Sequence, residues 1–140
     1  MDSTNIKGLT TELQCQTYFI QLGYIVSVPL GPQRYDFILD TGKELLKIQV
    51  KSCNNTDPAI LEFSTKSVHY NKTNGYHNIS YDENEVDYFC TFFDNECYLI
   101  PFSEIGSSSK KLRLLPTKNG QVKNICFAKD YIAKEVLKRR

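Results

Sequence analysis

The sequence predicts an α/β domain, a mixed central β-sheet flanked by helices. Two observations carry this reading. Apolar residues recur at helical spacing near both ends of the chain, and between them lie short segments that alternate apolar and polar side chains, bordered by turn residues. Composition agrees: 140 residues, 41% hydrophobic and 24% charged, suffice for one core, so residues 1–140 are expected to form one domain. No apolar run is long enough to span a membrane, and no charged leader precedes an apolar stretch. A cytoplasmic protein without membrane contact is expected.

The first element runs over residues 4–22 as an amphipathic helix, with Ile6, Leu9, Leu13 and Ile20 on one stripe and Gly23 as its C-cap. Glu12 falls at the edge of that stripe, where a carboxylate could face the sheet. Residues 24–28 follow as a strand, and the loop 29–34, with its two prolines and a glycine, leads into Asp36. Residues 35–51 then read as two short strands around a turn at Thr41 and Gly42. Because side chains alternate along a strand, Leu46, Ile48 and Val50 enter the core while Lys47, Gln49 and Lys51 share the other face.

The polar run 53–58 breaks that strand, and residues 59–64 alternate well enough to add a fourth strand to the sheet. Residues 65–81 contain few aliphatics and many Lys, Asn, His and Tyr, which suggests an extended polar loop. Residues 86–93 and 97–101, rich in aromatic strand formers, form a hairpin across Asp94, Asn95 and Glu96. Residues 110–115 make a basic edge strand, and Asn119 with Gly120 marks a tight turn. The chain closes with a helix over residues 128–140, its stripe being Ala128, Ile132, Val136 and Leu137.

Cys15, Cys53, Cys90, Cys97 and Cys126 are odd in number and include no Cys-x-x-Cys pair, so reduced, buried thiols are favoured over zinc. His69 and His77 fit no metal-binding spacing. Net charge is only +1, but it is unevenly spread: residues 105–140 hold ten Lys or Arg against Asp130 and Glu135, a local charge of +8. Lys110, Lys111, Arg113 and Lys118 in that segment are candidate phosphate contacts, since neutralising DNA phosphates releases counterions. Lys66, Asn71, Lys72 and Tyr76 in the polar run 65–81 suit base edges and phosphates, and Gln33 and Arg34 border the residues around Asp36.

The turn at Thr41 and Gly42 folds the second short strand back beside Asp36, so a carboxylate, the Gln49 amide and the Lys51 ammonium converge. Such a group suits phosphodiester hydrolysis, in which a carboxylate holds a divalent cation and a lysine positions the attacking water. A half-buried hairpin also carries polar residues on its wet face as a matter of course, so these three residues alone leave both readings open.

Tyr35 and Asp36, a turn, then Ile48, Gln49, Val50, Lys51 and Ser52 resemble the signature of the PD-(D/E)XK nuclease superfamily, and most closely its small homing endonucleases encoded in bacterial group I introns. The resemblance implies a restriction-endonuclease-like fold and Mg²⁺-dependent cleavage of double-stranded DNA at a defined site by a metal-activated water, with Mn²⁺ as a substitute. It implies that Asp36 is the first acidic ligand, that Gln49 stands at the second acidic position, and that Lys51 is the motif lysine. The Val50 backbone carbonyl and Glu12 from the first helix would complete the metal ligands. Gln49 departs from the pattern: an amide oxygen still coordinates a hard cation but brings no charge. A Holliday-junction resolvase or restriction enzyme of the same superfamily, and a DNA-binding module that has lost catalysis, are the alternatives. Cutting both strands calls for two chains about a two-fold axis, so a homodimer is expected, or a homotetramer with a longer footprint.

Overall fold

A computed structural model describes residues 1–140, apart from the side chains of Val68, His69, Tyr70, Asn71 and Asn78. Helix α1 (Ser3–Gln21) starts where the Asp2 carboxylate accepts the Asn5 N–H at 2.9 Å, and it stops at Gly23, whose φ of +93° a side chain would oppose. Strands β1 (Ile25–Ser27), β2 (Phe37–Asp40) and β3 (Leu45–Val50) then form an antiparallel meander. Gly42, at φ +85°, makes the β2–β3 turn, and the Asp40 carboxylate accepts its N–H.

The order of the central sheet is β1-β2-β3-β7-β8, with β3 parallel to β7 (Tyr88–Phe93) and all other pairs antiparallel, including β7 with β8 (Glu96–Pro101). Asp94 and Asn95, both at positive φ, build the two-residue turn of this hairpin. Strand β3 is interior to the sheet and alternates as expected: Leu46, Ile48 and Val50 are buried, Lys47 and Gln49 half-buried.

Both helices pack into one core. Cys15 and Phe19 of α1 and Ala133, Val136 and Leu137 of α2 (Ala133–Lys138) meet Phe37, Leu39, Ile48 and Leu99 of the sheet. Each fully buried aromatic or aliphatic side chain here is worth about 1.5–3 kcal/mol relative to exposure. A second core, with Leu61, Phe63, Phe89, Ile100 and Leu112, fills the space between the central sheet and a two-stranded antiparallel sheet of β4 (Ile60–Ser64) and β9 (Ser109–Arg113).

Four expectations need correction. The stripe Ile6, Leu9, Leu13 and Ile20 faces outward, each residue about half exposed, whereas Thr11, Cys15 and Phe19 face the sheet. Thr11 and Cys15 are small, which lets the helix axis approach the strands closely, so the bulkiest residues mark the wrong side. The strand over residues 59–64 belongs to the β4–β9 sheet and not to the central one. Residues 65–81 hold a hairpin in place of a loop, β5 (Lys66–Asn71) with β6 (Gly75–Ser80), because Gly75 at φ +77° reverses a chain whose tyrosines and β-branched residues favour extension. The final helix is broken. A 3-10 turn spans Ala128–Tyr131, and Ile132, at ψ 125°, separates it from α2.

Candidate active site

The site is assembled where β2 begins and β3 ends. Asp36 precedes β2, and its backbone N–H donates to the Ile48 carbonyl at 2.8 Å, which holds it in register beside β3. Its carboxylate Oδ2 accepts the Val50 N–H at 2.8 Å. That bond fixes the carboxylate against the strand carrying Gln49 and Lys51, so the hairpin brings together the three residues that the sequence singles out.

Glu12 arrives from α1. It sits one residue beyond Thr11, whose hydroxyl meets the Ser52 hydroxyl at 2.9 Å and donates to the Lys7 carbonyl, so the helix is pinned to the chain just past Lys51. Lys7 adds a second pin through the Cys53 carbonyl at 3.1 Å. Glu12 is half-buried and close enough to Asp36 for their charges to interact. Burial pushes the Glu12 carboxyl above its ordinary range, and the neighbouring Asp36 and Cys15 charges push it further. Burial raises Asp36 as well, against the opposing pull of the Val50 N–H and the Lys51 ammonium. Two half-buried carboxylates near enough for their charges to interact form a donor set suited to a hard divalent cation, which would relieve their repulsion.

Gln49 and Val50 act as a unit. The Gln49 side-chain N–H donates to the Val50 carbonyl at 3.1 Å, so a half-turn of the amide would set the Gln49 Oε1 beside that carbonyl as a further oxygen donor. Lys51 donates through Nζ to the Lys66 carbonyl at 2.9 Å, and its ammonium lies 5.0 Å from the centre of the Tyr81 ring. Arg34 stacks on the same ring at 4.1 Å, donates to the Ser80 carbonyl and pairs with Glu85 at 2.9 Å. Tyr81 therefore lies between two cations at the root of the β5–β6 hairpin, each worth on the order of 1 kcal/mol to it. Sequence reasoning passed over Tyr81: it closes a polar run with no periodicity, and only the fold brings Arg34 and Lys51 to it.

The expected DNA contacts fall into three groups. Gln33 is exposed on the loop before Asp36, and Arg34 is tied to the hairpin root. Lys66 opens β5, and Lys72 and Tyr76 are exposed at the far end of the hairpin; the Asn71 side chain lies outside the described residues. Lys110 and Lys111 lie on β9, where Lys110 donates to the Glu104 carbonyl and Lys111 pairs loosely with Glu62 at 3.9 Å. Arg113 is bound to the Leu115 and Pro116 carbonyls, and Lys118 is exposed. Asp87 serves as a strut: its carboxylate accepts the Lys47 N–H at 2.8 Å and joins β3 to β7.

No described helix is long and apolar enough to cross a membrane. Comparison with curated proteins gave no match. Among solved structures, the fold is similar to that of the bacterial homing endonuclease I-Ssp6803I, with a TM-score of 0.74 and 23% sequence identity over 97% of this chain and 93% of that one. The sequence pattern of the PD-(D/E)XK endonuclease family matches residues 2–134, nearly the whole chain, and with the strand-turn-strand carrying Asp36, Gln49 and Lys51 this shows that the chain belongs to the PD-(D/E)XK endonucleases.

Proposed function

We propose that this endonuclease cuts double-stranded DNA at a defined site, in the manner of a homing enzyme, with Mg²⁺ or Mn²⁺ as cofactor. The observation that carries the reading is the convergence of the half-buried Glu12 and Asp36 carboxylates, both raised in pKa, with the Gln49 amide and the Lys51 ammonium. Asp36, Glu12 and the Val50 carbonyl would hold the cation, with the Gln49 Oε1 as a neutral fourth oxygen. When bound, the cation supplies Lewis acidity and neutralises charge on the scissile phosphate.

The remaining chemistry falls to the chain's own residues. The Val50 N–H keeps one Asp36 oxygen occupied and so orients the other outward. Lys51, steadied by the Lys66 carbonyl and the Tyr81 ring, keeps an ammonium beside Asp36, where it orients the attacking water and balances charge building on the phosphate. The β5–β6 hairpin is rooted on the same lysine and on Arg34, so a two-stranded ribbon with exposed Lys72 and Tyr76 projects from the site. A ribbon of this kind fits the major groove, and its rooting would link target recognition to the position of Lys51.

The test is cleavage of linear duplex and of a four-way junction in Mg²⁺. Cleavage of duplex at one sequence is expected; preference for the junction would identify a resolvase, and binding without cleavage in Mg²⁺ or Mn²⁺ would identify an inactive DNA-binding module, the reading that the neutral Gln49 favours. At Gln49 itself, Gln49→Glu should keep activity and hold metal affinity at or above that of the parent, because it retains the oxygen and adds charge. Gln49→Ala should weaken metal binding and cleavage. Equal cleavage by the alanine variant would make Gln49 a structural residue.

Glu12→Gln should separate stability from activity. A carboxyl with a raised folded-state pKa favours folding in acid and loses that contribution as pH rises through the folded value. The metal-free Glu12→Gln variant should therefore melt higher than the parent at neutral pH, with the gap closing toward pH 4.5, the ordinary Glu value. Its cleavage rate should fall. Thermal melts across pH and single-turnover cleavage measure both, and an unchanged rate would return Glu12 to the role of a surface residue.

A further inference from the structure

Three of the five cysteines meet at one point in the core beneath α1. Cys15 of α1, Cys90 of β7 and Cys97 of β8 are each 0% exposed, and their sulfurs lie within 4.8 Å of one another. Those of Cys90 and Cys97 are 3.0 Å apart. Cys90 and Cys97 lie on one hairpin and Cys15 comes from α1, 75 residues before Cys90; none plays a part in the nuclease chemistry above.

Plain packing and a disulfide are the simpler accounts. A disulfide is poorly served: in the β7–β8 register Cys90 faces Leu99 while Cys97 faces Phe92, so the two cysteines are diagonal neighbours. A bond between them would also leave the third sulfur, that of Cys15, unpaired beside it. Packing alone does not explain the convergence of three sulfurs, because the surrounding core is built of Phe, Leu, Ile and Val that would fill the same space. Hydrogen bonds from Cys90 and Cys97 pull the Cys15 thiol down, while burial pushes Cys90 and Cys97 well up.

We propose that Cys15, Cys90 and Cys97 form a buried three-sulfur binding site for a soft monovalent metal ion of the Cu⁺ class. Thiolates select soft ions, and a d¹⁰ monovalent ion is satisfied by two or three sulfurs. Structural zinc requires four ligands, and no fourth His, Cys, Asp or Glu atom joins the cluster among the described residues. Each thiolate bond formed releases that thiol's proton to solvent, and no electron is transferred. The ion reaches its ligands before α1 docks on the sheet or while it is undocked, since the closed core leaves it no other way. Once bound, it clamps α1 to β7 and β8, one helical turn from Glu12.

The test is titration of the reduced full-length chain with Cu⁺ under anaerobic conditions against a chromogenic Cu⁺ chelator, with ultraviolet absorption and thermal melts as readouts. The expected result is one Cu⁺ per chain, a thiolate-to-copper band, and a higher melting temperature. Cys53→Ser with Cys126→Ser, which leaves only the triad, should bind equally well. Cys97→Ala, checked for folding by circular dichroism, should lose more affinity than the roughly 100-fold that removal of an outer-shell partner costs. A parent chain that leaves the chelator fully loaded would overturn the proposal whatever the variants do. So would binding that disappears in the Cys53→Ser, Cys126→Ser chain.

Discussion

Asp36→Asn and Lys51→Ala are each expected to slow DNA cleavage by roughly a thousandfold or more while leaving the fold and DNA binding in place. Asparagine keeps an oxygen that can accept the Val50 N–H, now at 2.8 Å from the carboxylate, so the start of β2 should stay where it is. What it removes is the negative charge that would hold a divalent cation. Alanine at position 51 deletes the ammonium and its bond to the Lys66 carbonyl, a half-buried contact that water can replace at a cost of about 1 kcal/mol. With affinity for DNA proposed to rest on phosphate contacts from the basic segments, Asp36→Asn should bind as well as the parent or slightly better, having lost a negative charge near the phosphate. Single-turnover cleavage of a duplex target, paired with equilibrium binding in Ca²⁺ or in the absence of metal, gives both numbers. Full cleavage by either variant would show that these residues are not the site.

How far these residues could be read from the sequence depended on whether the signal was local. Asp36, Gln49, Val50 and Lys51 lie on one hairpin, where strand alternation and a Gly-containing turn suffice to bring them together; the buried Leu46, Ile48 and Val50 follow the same rule. Tyr81 and the three-cysteine cluster were beyond reach because Lys51 lies 30 residues from Tyr81 and Cys15 lies 75 from Cys90, and no periodicity spans such distances. The β4–β9 pairing was hidden for the same reason: residues 60–64 alternate equally well for either sheet, and the partner that decides lies at residues 109–113. On α1 the failure was of another kind. Helical spacing gives two usable faces there, and size favoured Ile6, Leu9, Leu13 and Ile20, whereas close packing on the sheet favoured Thr11, Cys15 and Phe19.

The outward stripe of α1 leads to the second large effect. At about 100° per residue, Ile6, Leu9, Leu13 and Ile20 fall within roughly 60° of arc, and they are 52%, 46%, 53% and 57% exposed. Four large aliphatics in one exposed row on a 19-residue helix form the kind of patch that marks a protein interface. The partner we propose is a second copy of the chain. Each chain carries one candidate site, and a duplex offers two strands related by a two-fold axis, so a concerted double-strand break needs two chains with the same symmetry, in a dimer or in a tetramer built from it. Leu9→Glu with Leu13→Glu puts charges on positions that are already half exposed and keeps good helix formers, so the chain should still fold. The assembly should shift to monomer in light scattering. Double-strand cleavage should give way to slow nicking of single strands, with each chain's chemistry intact. Unchanged mass and concerted cutting in the double variant would move the interface elsewhere, and a strictly monomeric parent that makes concerted breaks would refute assembly as the source of double-strand cleavage.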